Sequence, residues 1–419
     1  MTKRGYKMTE IGEIPEEWEV IKLNKICNFI RGSEPGSKSY NSEFGRYKFI
    51  RVSDLSKQIL QPVFTNENKK NLVFCKAEDI LLTLDGVPGI INKNFEGAIS
   101  SGIRIVKPKN SDICNEFLFY ILQSRDVKHT INNHTMGSMI KHASTAINFI
   151  KIPLPPLPEQ QKIAEILTTA DDVIQAVNKQ ISMTEKLKKG LMRTLLTKGI
   201  GHTKFKMTEI GEIPEEWRVS KISDIYQVLT GTTPSTRIPK YWEGGNIEWL
   251  TPKDLRNLRA GLTIPMSGRK ITKAAVAENS LDILPVGSII MSTRAPVGYV
   301  GITTVEYTFN QGCKALLNKE NTIPLFHAYY LANKTGYLNS LSSGSTFKEL
   351  SKDTLEGILI VVPSLPEQQK IAEILTTVDN KIELLKVKKE KTEVLKRGLM
   401  QILLTGKVRV KIDSPEGEN

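Results

Sequence analysis

The chain has 419 residues, 40% hydrophobic and 25% charged, the proportions of a soluble globular protein with material for two or three cores. Its 58 Lys and Arg against 45 Asp and Glu leave a formal charge of +13, which favours a polyanionic partner, although a basic surface kept for solubility reads the same way. No apolar run approaches the roughly 20 residues that cross a bilayer. Met1 to Trp18 lacks the apolar centre of a signal peptide. Cys27, Cys75, Cys114 and Cys313 form no C-x-x-C pair, so zinc ribbons and thioredoxin-like chemistry are set aside. A reducing cytoplasm is the expected setting.

In chain order, the first landmark is Met8–Trp18, MTEIGEIPEEW. Arg31-Gly32-Ser33 then opens a Gly/Ser-rich loop carrying Lys38 and Tyr40, and Arg51 follows in FIRVSDL, residues 49–55. Short β-like runs fall at Tyr47–Val52, Ile80–Leu84, Ile103–Val106 and Phe149–Ile152, with a helical run at Glu116–Gln123. Gly137-Ser138-Met139-Ile140-Lys141-His142 is a polar loop ahead of the last strand. Arg, Lys, His, Ser, Thr and Tyr in loops are the side chains that touch phosphates and base edges. Arg31, Ser33, Lys38, Tyr40, Arg51, Lys141 and His142 are therefore the candidate nucleic-acid contacts of this half. Each taken singly is also what a solvated surface offers.

A proline-rich approach, IPLPPLP, leads into LPEQQKIAEILTT at Leu157, and from Glu159 to Leu196 there is no further proline. Pro158 and Glu159 suit the first turn of a helix. Apolar or small residues recur at Ile163, Leu167, Ala170, Ile174, Val177, Ile181, Leu187, Leu191 and Leu195, alternating steps of four and three with one slip near Thr184. This predicts a helix of about 38 residues, roughly 57 Å long, carrying a coiled-coil stripe with a stutter. Gly199 marks a plausible stop.

The pattern then starts again. MTEIGEIPEEW recurs at Met207–Trp217, and LPEQQKIAEILTT at Leu365–Thr377. LKKGLM at Leu187 returns as LKRGLM at Leu395. Between these ends the copies diverge, with WLTPKDL (249–255) against FIRVSDL and Gly344-Ser345-Thr346-Phe347-Lys348 against Gly137–Lys141. β-like runs at Ile247–Leu250, Ser288–Ser292, Tyr299–Ile302 and Ile358–Val361 are matched in order to the four of the first half, and a helical run falls at Leu325–Asn333. Thr232, Arg237, Tyr241, Trp242, Arg294 and Lys348 are the candidate contacts here; Arg294, after an apolar strand, is placed to reach a guanine. The second helix repeats the stripe at Ile371, Leu375, Val378, Ile382, Leu385, Leu395, Leu399 and Leu403, with its slip near Thr392.

A period of about 200 residues is too long for a solenoid and means two domains of one fold. The expected architecture is α+β: two homologous globular domains separated by two long helices that pair as an antiparallel coiled coil with pseudo-twofold symmetry. The boundaries fall at 1–156, 157–199, 200–364 and 365–406, with 407–419 a flexible tail. A single helix packed on its own domain is the alternative, disfavoured because the predicted rod outreaches a domain of this size.

Catalytic signatures are missing. There is no phosphate loop, G-x-G-x-x-G turn, N-P-P-[FY] tetrapeptide, G-x-S-x-G elbow or H-E-x-x-H helix. Asp54, Glu67 and Lys69 can be forced into a nuclease pattern, but on a turn-like segment without a second-copy equivalent. No metal site is expected.

Together, the paired IPEEW starts, the G-S-[MT]-[FI]-K elements, the doubled LPEQQKIAEIL entries and the K-x-G-L-M endings resemble the specificity (S) subunit of type I restriction-modification systems over nearly the whole chain. The resemblance implies a non-catalytic DNA-binding subunit whose two globular domains are target-recognition domains, each reading half of a split site in double-stranded DNA. The helices would set the spacer and dock two methyltransferase (M) subunits, and restriction (R) subunits would join through that core. S-adenosylmethionine and ATP would belong to those partners, with no cofactor in this chain. Ile163, Leu167, Ile174, Ile371, Leu375 and Ile382 are the helix residues expected at partner contacts. A stand-alone DNA-binding regulator, an interaction scaffold and a fused self-sufficient enzyme are the competing readings.

Overall fold

The two copies keep identical letters where buried polar groups must meet. In the computed structural model, which describes residues 3–36, 39–41, 44–56, 63–294, 296–342 and 349–412, a hairpin of Tyr6–Thr9 and Gly12–Pro15 precedes the fully buried Trp18. The Trp18 indole N–H donates to Glu159 Oε2, 2.9 Å away, in the first turn of the helix Leu157–Leu195. The second copy repeats the joint: a hairpin of Phe205–Thr208 and Gly211–Pro214, then Trp217 donating to Glu367 Oε2 at 2.9 Å in the first turn of Leu365–Leu403. The next residue is a clamp as well. Gln160 accepts the Cys114 N–H and donates to the carbonyls of Asp112 and Pro155. Gln368 accepts the Ile323 N–H and donates to Pro363. Removing one partner from such a buried pair costs on the order of 1–3 kcal/mol, so IPEEW and LPEQQ cannot drift independently.

The chain divides into two compact units, Met1–Ala176 with Glu390–Asn419, and Val177–Lys389. In the first unit an antiparallel four-stranded sheet runs in the order Ile91–Asn92, Ile80–Thr83, Ile103–Pro108, Cys27–Arg31. A second sheet has five short strands, with Gly97–Ile99 parallel to Tyr47–Ile50. Glu19–Lys22 pairs with Lys151–Leu154, returning the chain to the helix start. Asn115–Leu122 and Arg125–Asn133 are the main short helices. The second unit has the same plan: a four-stranded sheet of Val300–Ile302, Ile289–Ser292, Cys313–Asn318 and Tyr226–Thr230, a smaller sheet with Tyr307–Phe309 parallel to Ile247–Leu250, and the returning pair Arg218–Lys221 with Leu359–Val362.

These registers correct one correspondence drawn from the sequence. The counterpart of Ile103–Pro108 is Cys313–Asn318, since each is sandwiched between equivalent neighbours; Tyr299–Ile302 matches the edge strand Ile91–Asn92 instead. Lys314 and Asn310–Gln311 break the apolar pattern around Cys313, which hides that strand. The strand expected at Phe149–Ile152 begins at Lys151, because Ser144–Asn148 forms a 3-10 turn.

Both long helices run 39 residues, Leu157–Leu195 and Leu365–Leu403, about 58 Å at 1.5 Å per residue. Their inward positions contradict the expected slip. Leu187 and Leu395 are exposed, whereas Thr184 and Lys188 are half-buried, as are Thr392 and Lys396. The stripe therefore reads 163, 167, 170, 174, 177, 181, 184, 188, 191, 195 in one helix and 371, 375, 378, 382, 385, 389, 392, 396, 399, 403 in the other, an unbroken heptad spacing with polar residues in its second half. The same node occurs in each unit. In the first, Lys396 meets Asp171 at 2.6 Å and Tyr120 donates to that carboxylate at 2.9 Å. In the second, Lys188 meets Asp379 at 2.6 Å and Tyr329 donates to it at 2.7 Å. Within the first unit, Asp171 pairs with Lys396, and Glu159 at the start of one helix with Arg409 beyond the end of the other, so the two helical segments run antiparallel. Within the second, Lys188 with Asp379 and Glu185 with Lys386 give the same sense.

Ile163 and Leu167, with Leu403 and Leu404, complete the core of the first unit; Ile371 and Leu375, with Leu195 and Leu196, complete that of the second. Arg409, in the stretch expected to be a flexible tail, is held by Glu17 and Glu159 at 2.7 Å each, while residues 413–419 lie outside the described residues.

Candidate nucleic-acid interface

In the first unit, Arg31 ends its strand exposed, with Nε donating to the Ser101 carbonyl at 3.3 Å. Ser33 is used internally: its hydroxyl accepts the Val73 N–H at 3.1 Å, and its backbone bridges Ser100. Arg51 forks onto Asp54, with Nη2 and Nε at 2.9 and 3.1 Å from the two carboxylate oxygens. Tyr40 lies in a short strand with Asn41, paired to Val63–Thr65, and Lys38 falls outside the described residues.

Lys141 and His142 lie at the base of a tight hairpin. Met136 and His142 exchange backbone hydrogen bonds of 2.9 and 2.8 Å. Gly137 sits at φ +98, where a side chain would bring Cβ within 2.2 Å of the Ile140 carbonyl. That is the physical reason for a glycine here. The hairpin exposes Met139, Ile140, Lys141 and His142.

In the second unit, Thr232 and Arg237 are exposed on the loop after Tyr226–Thr230. Tyr241 is not at the surface: it is buried with its hydroxyl donating to Glu278 at 2.8 Å, in a small core with Trp249 and Ile271. Trp242 is half-buried, its indole N–H on the Ser235 carbonyl at 3.1 Å. The Arg269 guanidinium lies 3.8 Å from the Trp242 ring centre and 5.1 Å from that of Trp249. Sequence reasoning misses Arg269, since nothing in the order Ser267-Gly268-Arg269 announces a stacked cation. Arg294 bridges to Glu349 across a short antiparallel contact, its Nη2 2.8 Å from the carboxylate. Lys348 falls outside the described residues.

The helix residues expected at partner contacts are largely spent within the chain. Ile163, Leu167, Ile371, Leu375 and Ile382 are buried and Ile174 half-buried. Exposed apolar side chains on the helices are instead Val173, Met183, Leu187, Leu384, Val387, Val394 and Leu395.

Asp54 and Glu67 are engaged with Arg51 and with Ser39, Asn68 and Asn71 respectively. Among the described residues no three His, Cys, Asp or Glu side chains converge as metal ligands. Burial pushes the thiols of Cys27 and Cys75 up to about 12 and about 11, so both are packing residues at neutral pH. No helix among the described residues is long and apolar enough to cross a membrane.

Two copies of one α+β domain, each built against segments of two long helices and each carrying its own cation-bearing loops, define a tandem recognition protein. Residues 15–184 and 214–394 match the family model of the type I restriction modification DNA specificity domain, and the chain belongs to that family. The type I restriction enzyme MjaVIII specificity subunit of Methanocaldococcus jannaschii is 31% identical over 411 residues, covering 95% of this chain and 94% of that one. The crystal structure of the S subunit of a type I restriction-modification system from M. genitalium superposes with a TM-score of 0.60 at 15% identity, covering 96% of this chain and 99% of that one. A chain from a structural study of complex assembly and conformational transition in the type I system superposes at 0.58 with 18% identity, covering 94% and 99%. The α+β fold and the assignment as a DNA-recognising specificity subunit stand on these matches.

Proposed function

We propose that each unit reads one half of a bipartite site in double-stranded DNA, that the two long helices pair as an antiparallel, pseudo-twofold coiled coil fixing the spacer, and that the chain performs no catalysis. The carrying observation is the duplication itself: identical joints at the ends of each copy, and different loops between them. A common frame with unlike loops is what two unlike half-sites require. The heptad stripes, antiparallel within each unit, support the pairing.

Methyltransferase subunits, two of them, dock on the helices, and restriction subunits join through that assembly. Leu187 and Leu395 support this reading, because they are exposed apolar residues at equivalent positions of the repeat. S-adenosylmethionine and ATP belong to those partners. DNA contacts fall on Arg31, Lys141 and His142 in the first unit and on Thr232, Arg237 and the partly exposed Arg294 in the second, whose donors can reach phosphates and base edges, while the half-buried Trp242 offers only its ring.

The test replaces residues 31–150 with the matching segment of another family member and maps the methylated sites. One half-site changes and the other persists. A change in both halves contradicts the assignment of one half to each domain.

A further inference from the structure

The strand registers place three positions of one unit on three of the other. Ile103 pairs with Thr83 and Cys313 with Ser292, so Arg104 corresponds to Lys314 and Asp85 to Arg294. Asp85 pairs with His142, and Arg294 bridges Glu349, so His142 corresponds to Glu349. The residue types at these positions are exchanged: Asp, Arg and His in one unit, Arg, Lys and Glu in the other.

Despite the exchange, the arrangement is the same. In the first unit Arg104, 7% exposed, sits 3.4 Å from Asp85 Oδ2, while Asp85 Oδ1 accepts from His142 Nδ1 at 2.8 Å. In the second, Lys314, 3% exposed, sits 3.6 Å from Glu349 Oε1, while Glu349 Oε2 accepts from Arg294 Nη2 at 2.8 Å. Each carboxylate spends one oxygen inward on a buried cation and the other outward on an exposed nitrogen group. Exposure rises along both chains, to 60% for His142 and 43% for Arg294. The inner cations are pinned further: Arg104 donates to the Ser101 carbonyl at 2.6 Å and to Ser144 Oγ at 3.0 Å, and Lys314 to Thr293 Oγ1 at 3.3 Å. Burial works against the Glu349 carboxylate, but the Arg294 hydrogen bond and the charges of Arg294 and Lys314 outweigh it and hold the group below its usual range.

A structural ion pair does not need this form. Moving the acid to the opposite strand keeps a counter-charge on the buried cation, which any single carboxylate would do, and it also keeps an outer nitrogen group held in a set orientation by the second carboxylate oxygen. We propose that the two relays are the orienting elements of base readout, with Arg294 reading a guanine in the half-site of the second unit and His142 reading a base in that of the first. This inference rests on the DNA-reading assignment above. Arg294 has Nη2 committed to Glu349, and its other N–H groups, which bond no other side chain among the described residues, suit the O6 and N7 acceptors of guanine. His142 must donate from Nδ1, because a carboxylate only accepts, so Nε2 is the ring nitrogen left to face a base edge. Glu349 and Asp85 are positioning residues; they act through the outer groups.

The experiment selects bound sequences from a randomised duplex library with the full chain in complex with its methyltransferase partner, comparing wild type, E349Q, R294K and D85N. Thermal unfolding accompanies each variant. Wild type yields two defined half-sites. R294K and E349Q relax a single guanine position of one half-site by roughly 10-fold or more in preference and leave the other half unchanged. D85N relaxes one position in the opposite half. If folded E349Q and R294K select the wild-type site unaltered, the relay has no part in readout while the DNA-reading assignment stands. If wild type selects no sequence at all, both fail. A uniform loss of affinity at unchanged sequence preference makes Arg294 a phosphate contact and overturns the proposal.

Discussion

At the scale of single residues, the equivalent positions of the two units show which contacts are architectural. Tyr120 and Tyr329 both donate to the helix carboxylate of their node. Two residues earlier, Leu118 in the first unit is replaced by His327 in the second, and Cys27 by Tyr226. His327 is fully buried; Nε2 donates to the Val361 carbonyl at 3.0 Å and Nδ1 accepts from Tyr226 at 2.8 Å. Burial outweighs the Val361 hydrogen bond and lowers its pKa to about 4. The unfolded chain, with an ordinary value near 6.5, binds the proton first as pH falls. The contribution of neutral His327 is therefore intact above pH 6.5 and is lost progressively toward pH 4, by up to a few kcal/mol. Acid titration of thermal stability should show the second unit weakening over that window. H327L should flatten that loss; an unchanged acid profile in H327L contradicts the assignment. None of this is legible in the sequence, where five histidines without counterparts offer no reason to single one out. Tyr241 misleads for a related reason: an aromatic beside Lys240 and Trp242 resembles a contact residue, but its ring is buried and Glu278, 37 positions away, supplies a carboxylate partner for its hydroxyl.

At the scale of elements, the long helices are the most legible part and also the place where pattern reading errs. Proline at the entry, glycine beyond the exit and a continuous stripe mark both ends to within a residue or two. The stutter arises on paper because leucines at 187 and 395 are more conspicuous than threonine and lysine at the true inward positions. Pattern reading follows apolar residues, whereas the seam places Thr184, Lys188, Thr392 and Lys396 inward because Asp379 and Asp171 receive the lysines. A polar pair in an apolar seam is a register device: any other alignment strands a charge. K188M should destabilise the second unit by about 1–3 kcal/mol, since Asp379 loses its cation. Adding D379N should recover much of that loss, because the amide oxygen still accepts from Tyr329 without a charge to desolvate. Calorimetric or denaturant unfolding of the two variants checks this. A double variant less stable than K188M shows that the pair is not coupled. Within the domains, strands lying in apolar runs are readable, while those built around Lys314 or in two-residue pieces such as Asp85–Gly86 and Lys141–His142 are not, because their pairing is set by partners distant in the chain.

At the scale of the whole molecule, two repeats 199 and 208 residues apart are enough to announce two domains. What the letters do not show is that the compact units cut across the repeat: residues Glu390–Asn419 belong with Met1–Ala176. Neither helix is the property of one domain, and a change in helix length acts on both. In the proposed reading, unlike readers share one frame and the helices alone set the distance between their half-sites. Inserting one heptad into each helix, near Met183 and Lys391, preserves the inward stripe and lengthens each rod by about 10 Å. Mapping the methylated sites of cells expressing this variant with its methyltransferase partner tests that claim most directly. The spacer between the half-sites should grow while the bases of both halves stay the same; altered half-sites around an unchanged spacer would contradict it.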